Sequence, residues 1–165
     1  MTPVLIIGIV VLGVVVVVLA AVMMVTVILR GMKESLEAQI GSHYEPEDIL
    51  MKDLTANSFG LESAGVWQVR GNGGLVLTAE CLHFFMYLPK REFRVPLDSI
   101  TELTLTKSHL GRATIYDLLK VRFSVDDSSD SIAWYLADPN AWKSRIEKLK
   151  AGGATQERRG TIDGV

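Results

Sequence analysis

The sequence predicts an N-terminal transmembrane α-helix joined to an α+β, mainly β domain. That domain is a bent antiparallel sheet or partial barrel of roughly seven short strands, closed by a C-terminal helix. Three observations predict it. Pro3 to Leu29 is an apolar run without a single charge. From Phe59 onward apolar residues recur every second position, the period of a strand. Near the end, Trp142, Ile146 and Leu149 sit at i, i+4 and i+7, one stripe of an amphipathic helix. The expected organisation is a transmembrane helix over 1–30, a helical acidic connector over 31–57, the β-rich domain over 58–150 and a disordered tail over 151–165.

The apolar run justifies the span by length. At a rise of about 1.5 Å per residue it makes a rod of about 40 Å, longer than the hydrocarbon core of about 30 Å. A cleaved signal peptide would need a basic segment ahead of the run and a small-residue cleavage site after a short one. No Lys or Arg precedes Pro3, and the run continues past Ala20 and Ala21. A retained single span is the expectation. The flank after it begins Arg30-Gly31-Met32-Lys33, so the positive-inside rule puts the N-terminus outside and the domain in the cytoplasm, at the inner (plasma) membrane. No ionisable residue interrupts the span, as an ion path would require. Gly8 and Gly13 are five apart, which gives no G-x-x-x-G seam.

After the span, Met32, Leu36 and Ile40 recur at i, i+4 and i+8, so the helix is expected to continue until Gly41 stops it. Ser42 to Asp48 is turn-like and acidic, and Pro46 is expected to start a second short helix through Leu54. This connector is either a docking segment or a spacer that holds the domain off the bilayer.

In the domain, Val66, Gln68 and Arg70 alternate with Trp67 and Val69, and Gly71-Asn72-Gly73-Gly74 reads as a tight turn. Leu75 to Thr78 returns. Cys81 to Leu88 puts Leu82, Phe84, Met86 and Leu88 on one face and Cys81, His83, Phe85 and Tyr87 on the other. Both faces are partly apolar, so the strand is expected to be covered on each side. Arg91 to Val95 is a short strand ending at Pro96. Ile100 to Thr106 breaks phase, a sign of a bulge. Lys107 to Thr114 reads as a loop. Leu118 to Val125 places Leu119, Val121, Phe123 and Val125 inward, and Asp126 to Asp130 is a polar loop before a last strand, Ser131 to Leu136. Asp138 suits the cap and Pro139 the first position of the closing helix.

This order resembles the pleckstrin-homology (PH) superfold, and within it the bacterial PH-like and GRAM-like domains. The residues that carry the resemblance are GNGGLVLTAECLHFF (Gly71 to Phe85), REFRVPLDSITEL (Arg91 to Leu103), LLKVRF (Leu118 to Phe123) and DPNAWKSRI (Asp138 to Ile146). The resemblance implies a helix with Trp142, Ile146 and Leu149 plugging an open end of the sheet. It also implies a binding module of a bacterial single-pass protein. PH domains that read inositol lipids surround their first loop with cations, whereas this loop offers Arg70 alone.

No site pattern for catalysis is present. The three histidines, His43, His83 and His109, fall in a linker, a strand and a loop, and H-E-x-x-H, C-x-x-C and G-x-S-x-G are absent. Cys81 is the one cysteine, so no internal disulfide forms, which fits a reducing compartment. A net charge of -2 does not favour nucleic acid. The expectation is therefore a non-enzyme with no cofactor and no metal: a membrane-anchored interaction or scaffold module, an accessory subunit of a membrane complex with a protein partner. The alternative is an anionic-lipid sensor. The candidate contacts for lipid or partner are Arg70, Lys90, Arg91, Arg94, Lys107 and Arg112.

Overall fold

The computed structural model describes residues 3–64, 70–126 and 128–162, which fall into two compact units, Met1–Gln39 and Ile40–Val165. The first unit is helix α1 (Pro3–Gly41), whose last residues belong to the second. Its most apolar 18-residue window has a mean hydropathy of 3.1, and none of that window is buried. The large apolar side chains described between Ile7 and Leu29 are 47% to 70% exposed, unlike those of a buried core helix. Thr26 donates its hydroxyl proton to the Met23 carbonyl at 2.7 Å, so the single hydroxyl of the run is satisfied within the helix. One helix among the described residues is therefore long and apolar enough to cross a membrane.

The second unit is a seven-stranded antiparallel sheet followed by one helix. Its strands are β1 (Met51–Leu61), β2 (Gly71–Leu77), β3 (Cys81–Met86), β4 (Arg91–Pro96), β5 (Ile100–His109), β6 (Arg112–Val125) and β7 (Ser128–Tyr135). They lie in the order β4-β3-β2-β1-β7-β6-β5, so β4 and β5 are edges and the sheet does not close. The antiparallel pairing of β1 with β7 joins the four-strand and three-strand halves. Leu75, Leu82, Phe84, Val121, Ile132 and Trp134 are among the side chains that build the core. Helix α2 (Pro139–Ile162) adds Trp142 and Ile146 to it and packs Leu149 against it. Asp138 caps the helix by accepting from the Ala141 amide at 2.9 Å, with Pro139 first in the helix as expected. The Lys150 ammonium donates to the Ile100 carbonyl, tying the helix to the start of β5.

Several local expectations change. Gly41 does end α1, but Pro46 opens only a 3-10 turn (Pro46–Asp48), and β1 begins at Met51 rather than after Phe59. The buried positions of β1 include Asp53, Ala56, Ser58 and Gly60, which are small or polar, so no hydrophobic alternation announced it. Asp53 is accommodated because its carboxylate accepts from the Thr55 amide and hydroxyl and from the Ala137 amide at 2.7 to 2.9 Å. Gly71 to Gly74 is not a turn but the first half of β2. The strand read over Val66 to Val69 lies outside the described residues. Val125 is 45% exposed rather than inward, because it sits at the end of β6 next to the turn. α2 continues past Gly152 to Ile162, where the sequence reading began a disordered tail. Ala151, Ala154, Gln156 and Glu157 are good helix formers, and glycine costs a helix only about 1 kcal/mol. The bulge expected near Ile100 is present as a register shift between Ile100 and Glu102.

Lys107 to Thr114 is a paired hairpin rather than a loop, with His109 opposite Arg112 and Leu110-Gly111 as its two-residue turn. Both turn residues are left-handed, at φ 50 and 75. That conformation costs a side-chain-bearing L-residue about 1–2 kcal/mol, and such turns prefer Asn-Gly. Leu110→Asn should therefore stabilise the domain by about 1 kcal/mol in urea unfolding.

Candidate interaction site on the outer face of the sheet

All six residues of β3 are buried, as the doubly apolar pattern required. Leu82, Phe84 and Met86 face the core. Cys81, His83 and Phe85 face the other way, where the chain that follows α1 covers them. The His43 ring meets the edges of His83 and Phe85 at centroid separations of 5.6 and 5.4 Å, and Tyr44 meets His83 at 5.8 Å. The cross-strand register sets Arg94 beside His83 and Glu92 beside Phe85. Linker, β3 and β4 thus converge on one imidazole.

The polar contacts form a chain. An Arg94 amino group donates to the Tyr44 oxygen at 2.8 Å, with the guanidinium 5.8 Å from the centre of the Tyr44 ring. The Tyr44 oxygen lies 2.9 Å from His83 Nδ1, and His83 Nε2 lies 3.2 Å from Glu92 Oε2. A carboxylate only accepts, so in neutral His83 the proton sits on Nε2 and Nδ1 accepts from the Tyr44 hydroxyl. His43 Nε2 approaches the same Glu92 oxygen at 3.5 Å, and Cys81 Sγ lies 3.6 Å from the Tyr44 oxygen.

Burial pushes the His83 imidazole down from 6.5 to about 4. Arg94 and His43 add to this, while Glu92 works against it. Burial raises the Tyr44 phenol, so it stays protonated, and the hydrogen bond that Arg94 donates to the Tyr44 oxygen raises Arg94. His109 is also held below its ordinary value by burial, although its ring hydrogen-bonds the Gly60 carbonyl at 3.0 Å. Among the described residues, no group of three or more His, Cys, Asp and Glu is arranged to hold a metal ion. A shallow cleft of about 260 Å³ runs between β4 and the β6–β7 end, with Phe93, Val95 and Phe123 among its lining residues.

The six nominated cations do not form one patch. Arg70 is part-buried and structural: it donates to the Phe59 carbonyl at 2.9 Å and reaches the Leu110 carbonyl at 3.5 Å, pinning the β5–β6 hairpin to β1. Arg94 is engaged with Tyr44. Lys90 and Arg91 are exposed at the β3–β4 turn, and Lys107 and Arg112 are exposed on the β5–β6 hairpin. Sequence reasoning missed His43, Tyr44, His83 and Glu92 as a group. The signal available was His83 on an otherwise apolar strand face, a position that needs polar partners. Which partners they are depends on the fold of the linker.

No known family model matches the chain, and no curated protein matches it. Solved structures do. A chain of the 8S snRNP assembly intermediate is similar at a TM-score of 0.51 and 8% identity, covering 65% of this chain and 85% of that one. The Vps36 N-terminal PH domain is similar at 0.48 and 14%, covering 65% and 81%. The C-terminal domain of an unknown protein from Leishmania infantum is similar at 0.44 and 16%, covering 61% and 82%. At such identities the likeness concerns the fold alone.

Proposed function

We propose that the chain is a single-pass protein of the bacterial inner membrane. Its N-terminus lies outside, and its PH-like cytoplasmic domain is a non-catalytic interaction or scaffold module serving a membrane complex. The observation that carries this reading is a helix whose most apolar window has no buried residue, in the same chain as a domain with its own core. That helix surface needs lipid, and the tether raises the domain's effective concentration for other membrane proteins. β4 and β5 are the edge strands among the described residues, which supports partner binding, since an edge strand accepts a strand from another chain. β4 ends in Pro96 and carries Arg91, Glu92 and Arg94, which blunts it. β5 is the better acceptor.

Carbonate extraction of membranes, with the mass of the mature chain, tests the anchor: the full-length chain should stay in the pellet. A chain shortened to begin near Leu29 would mean a cleaved leader and overturn the reading. Cross-linking followed by capture in mild detergent should then yield a defined second protein, and a monomer at every expression level would count against the scaffold role.

The lipid-sensing alternative draws on the exposed Lys90, Arg91, Lys107 and Arg112. With Arg70 and Arg94 held by the fold, four cations remain for it, at about 1 kcal/mol each near an anionic surface. Reconstituted chains with these four replaced by Gln should show unchanged partner capture if the scaffold reading holds. A loss of salt-sensitive association with phosphatidylserine vesicles in the same variant would favour the alternative.

A further inference from the structure

The segment Ser42 to Ile49 lies between the end of α1 and the first sheet bond, in which the Leu50 amide donates to the Leu77 carbonyl at 2.8 Å. Its polar contacts with the sheet include Tyr44, which meets His83 and Arg94, and His43, which approaches Glu92 at 3.5 Å; the contact with His83 runs through Tyr44. That contact depends on His83 being an acceptor. A second proton on the ring turns Nδ1 into a donor aimed at the Tyr44 oxygen. The phenol oxygen then faces two cationic donors, Arg94 and the imidazolium, while its own proton loses its acceptor. The nearest replacement is Cys81 Sγ at 3.6 Å, a weak one.

We propose that Tyr44, His83 and Glu92 form an acid-released clasp: protonation of His83 frees the Ser42–Ile49 segment from the sheet while the sheet stays folded. Every element packed on the ring takes part. The linker brings His43 and Tyr44, β3 brings Cys81, β4 brings Glu92 and Arg94, and the β2–β3 turn brings Glu80 toward Arg94. Across β2, the register partner of His83 is Val76, with Lys52 of β1 beyond it. Glu92 is the carboxylate that contacts the ring among the described residues, and His43 already shares it. The proton on Nε2 keeps its partner, so β3 and β4 remain joined. The proton on Nδ1 meets an oxygen that already accepts from Arg94, and the phenol proton loses its acceptor, so the linker is the part that leaves. The Ser42–Ile49 segment directly follows α1 in the chain, so its release lengthens the tether. The clasp stands whether or not a partner is found.

The sign follows from the depressed folded value. Above 6.5 the ring is neutral in both states and the clasp is fully closed. As pH falls from 6.5 toward about 4, the released state takes up the proton first and opening becomes progressively more favourable.

Hydrogen exchange of the full chain in lipid nanodiscs, corrected for the intrinsic pH dependence of exchange, tests this. Protection of peptides over residues 42–49 should fall by about tenfold or more between about pH 7 and about pH 4.5, with peptides over β2 and β3 still protected. Tyr44→Phe should leave the segment open at both pH values. His83→Gln should remove the pH step, and His109→Gln should keep it. Should His83→Gln fail to fold, Glu92→Gln keeps an acceptor for Nε2 but removes the charge, and the step should move to lower pH. Three results would each overturn the clasp: unchanged protection across the range, loss of protection in β2 and β3 together with the linker, or a step that Glu92→Gln leaves in place.

Discussion

Gly73→Ala should prevent the domain from reaching its native packing. A Cβ at this position would lie 2.0 Å from the Phe85 carbonyl oxygen and 2.9 Å from the Phe84 ring and the Phe85 carbonyl carbon. The obstructing atoms are mostly backbone. Phe85 belongs to β3, which is paired on both sides, with Gly74 and with Glu92, so it cannot retreat without breaking a ladder. Overpacking against movable side chains costs about 1–3 kcal/mol, and here the obstacle is fixed, so the cost should exceed about 3 kcal/mol. Against a total stability of about 5–15 kcal/mol, that lowers the urea midpoint steeply or abolishes soluble folded protein. Gly41→Ala is the control: nothing lies within 4 Å of its Cβ, and the midpoint should move little. Equal midpoints for the two variants would mean that β2 and β3 do not approach as closely as described.

Trp142→Ala should destabilise the domain by about 3–5 kcal/mol, the usual cost of deleting a buried aromatic. Trp142 is 3% exposed and Ile146 is fully buried, and both belong to the main core although α2 is the last element of the chain. For a domain of this size, each kcal/mol lowers the melting temperature by about 4–8 °C, so the drop should exceed about 12 °C. Lys143→Ala, one residue along on the solvent side, should stay within about 0.5 kcal/mol, because its pair with Glu147 is a surface i,i+4 contact. A Trp142 variant as stable as the Lys143 variant would remove the helix from the core.

The elements that were legible in the chain share one property: burial on one face written as a period. β3, β6 and the Trp142–Ile146–Leu149 stripe repeat at two or at three and four residues, and each covers the side chains its pattern nominated, apart from Val125 at a strand end and Leu88, which lies past the end of β3 and is exposed. β1 was not legible because its inward positions need space or a cap instead of grease. Gly73 was misread for a related reason. Glycine marks a turn when its φ is positive, but here it marks the close approach of a neighbouring strand, and a lone sequence does not separate the two uses. Of the nominated cations, Arg70 and Arg94 proved to be spoken for by carbonyls and a phenol, contacts made across 11 to 50 residues of chain.

Local composition and spacing were enough for the apolar N-terminal rod, for the strands after β1 and for the closing helix. Only the tertiary structure decided that His43 and His83, 40 positions apart, share one carboxylate, and that a linker tyrosine rests on a strand histidine. Such meetings are set by strand register and by where the chain re-enters the sheet. No local pattern of side chains encodes them.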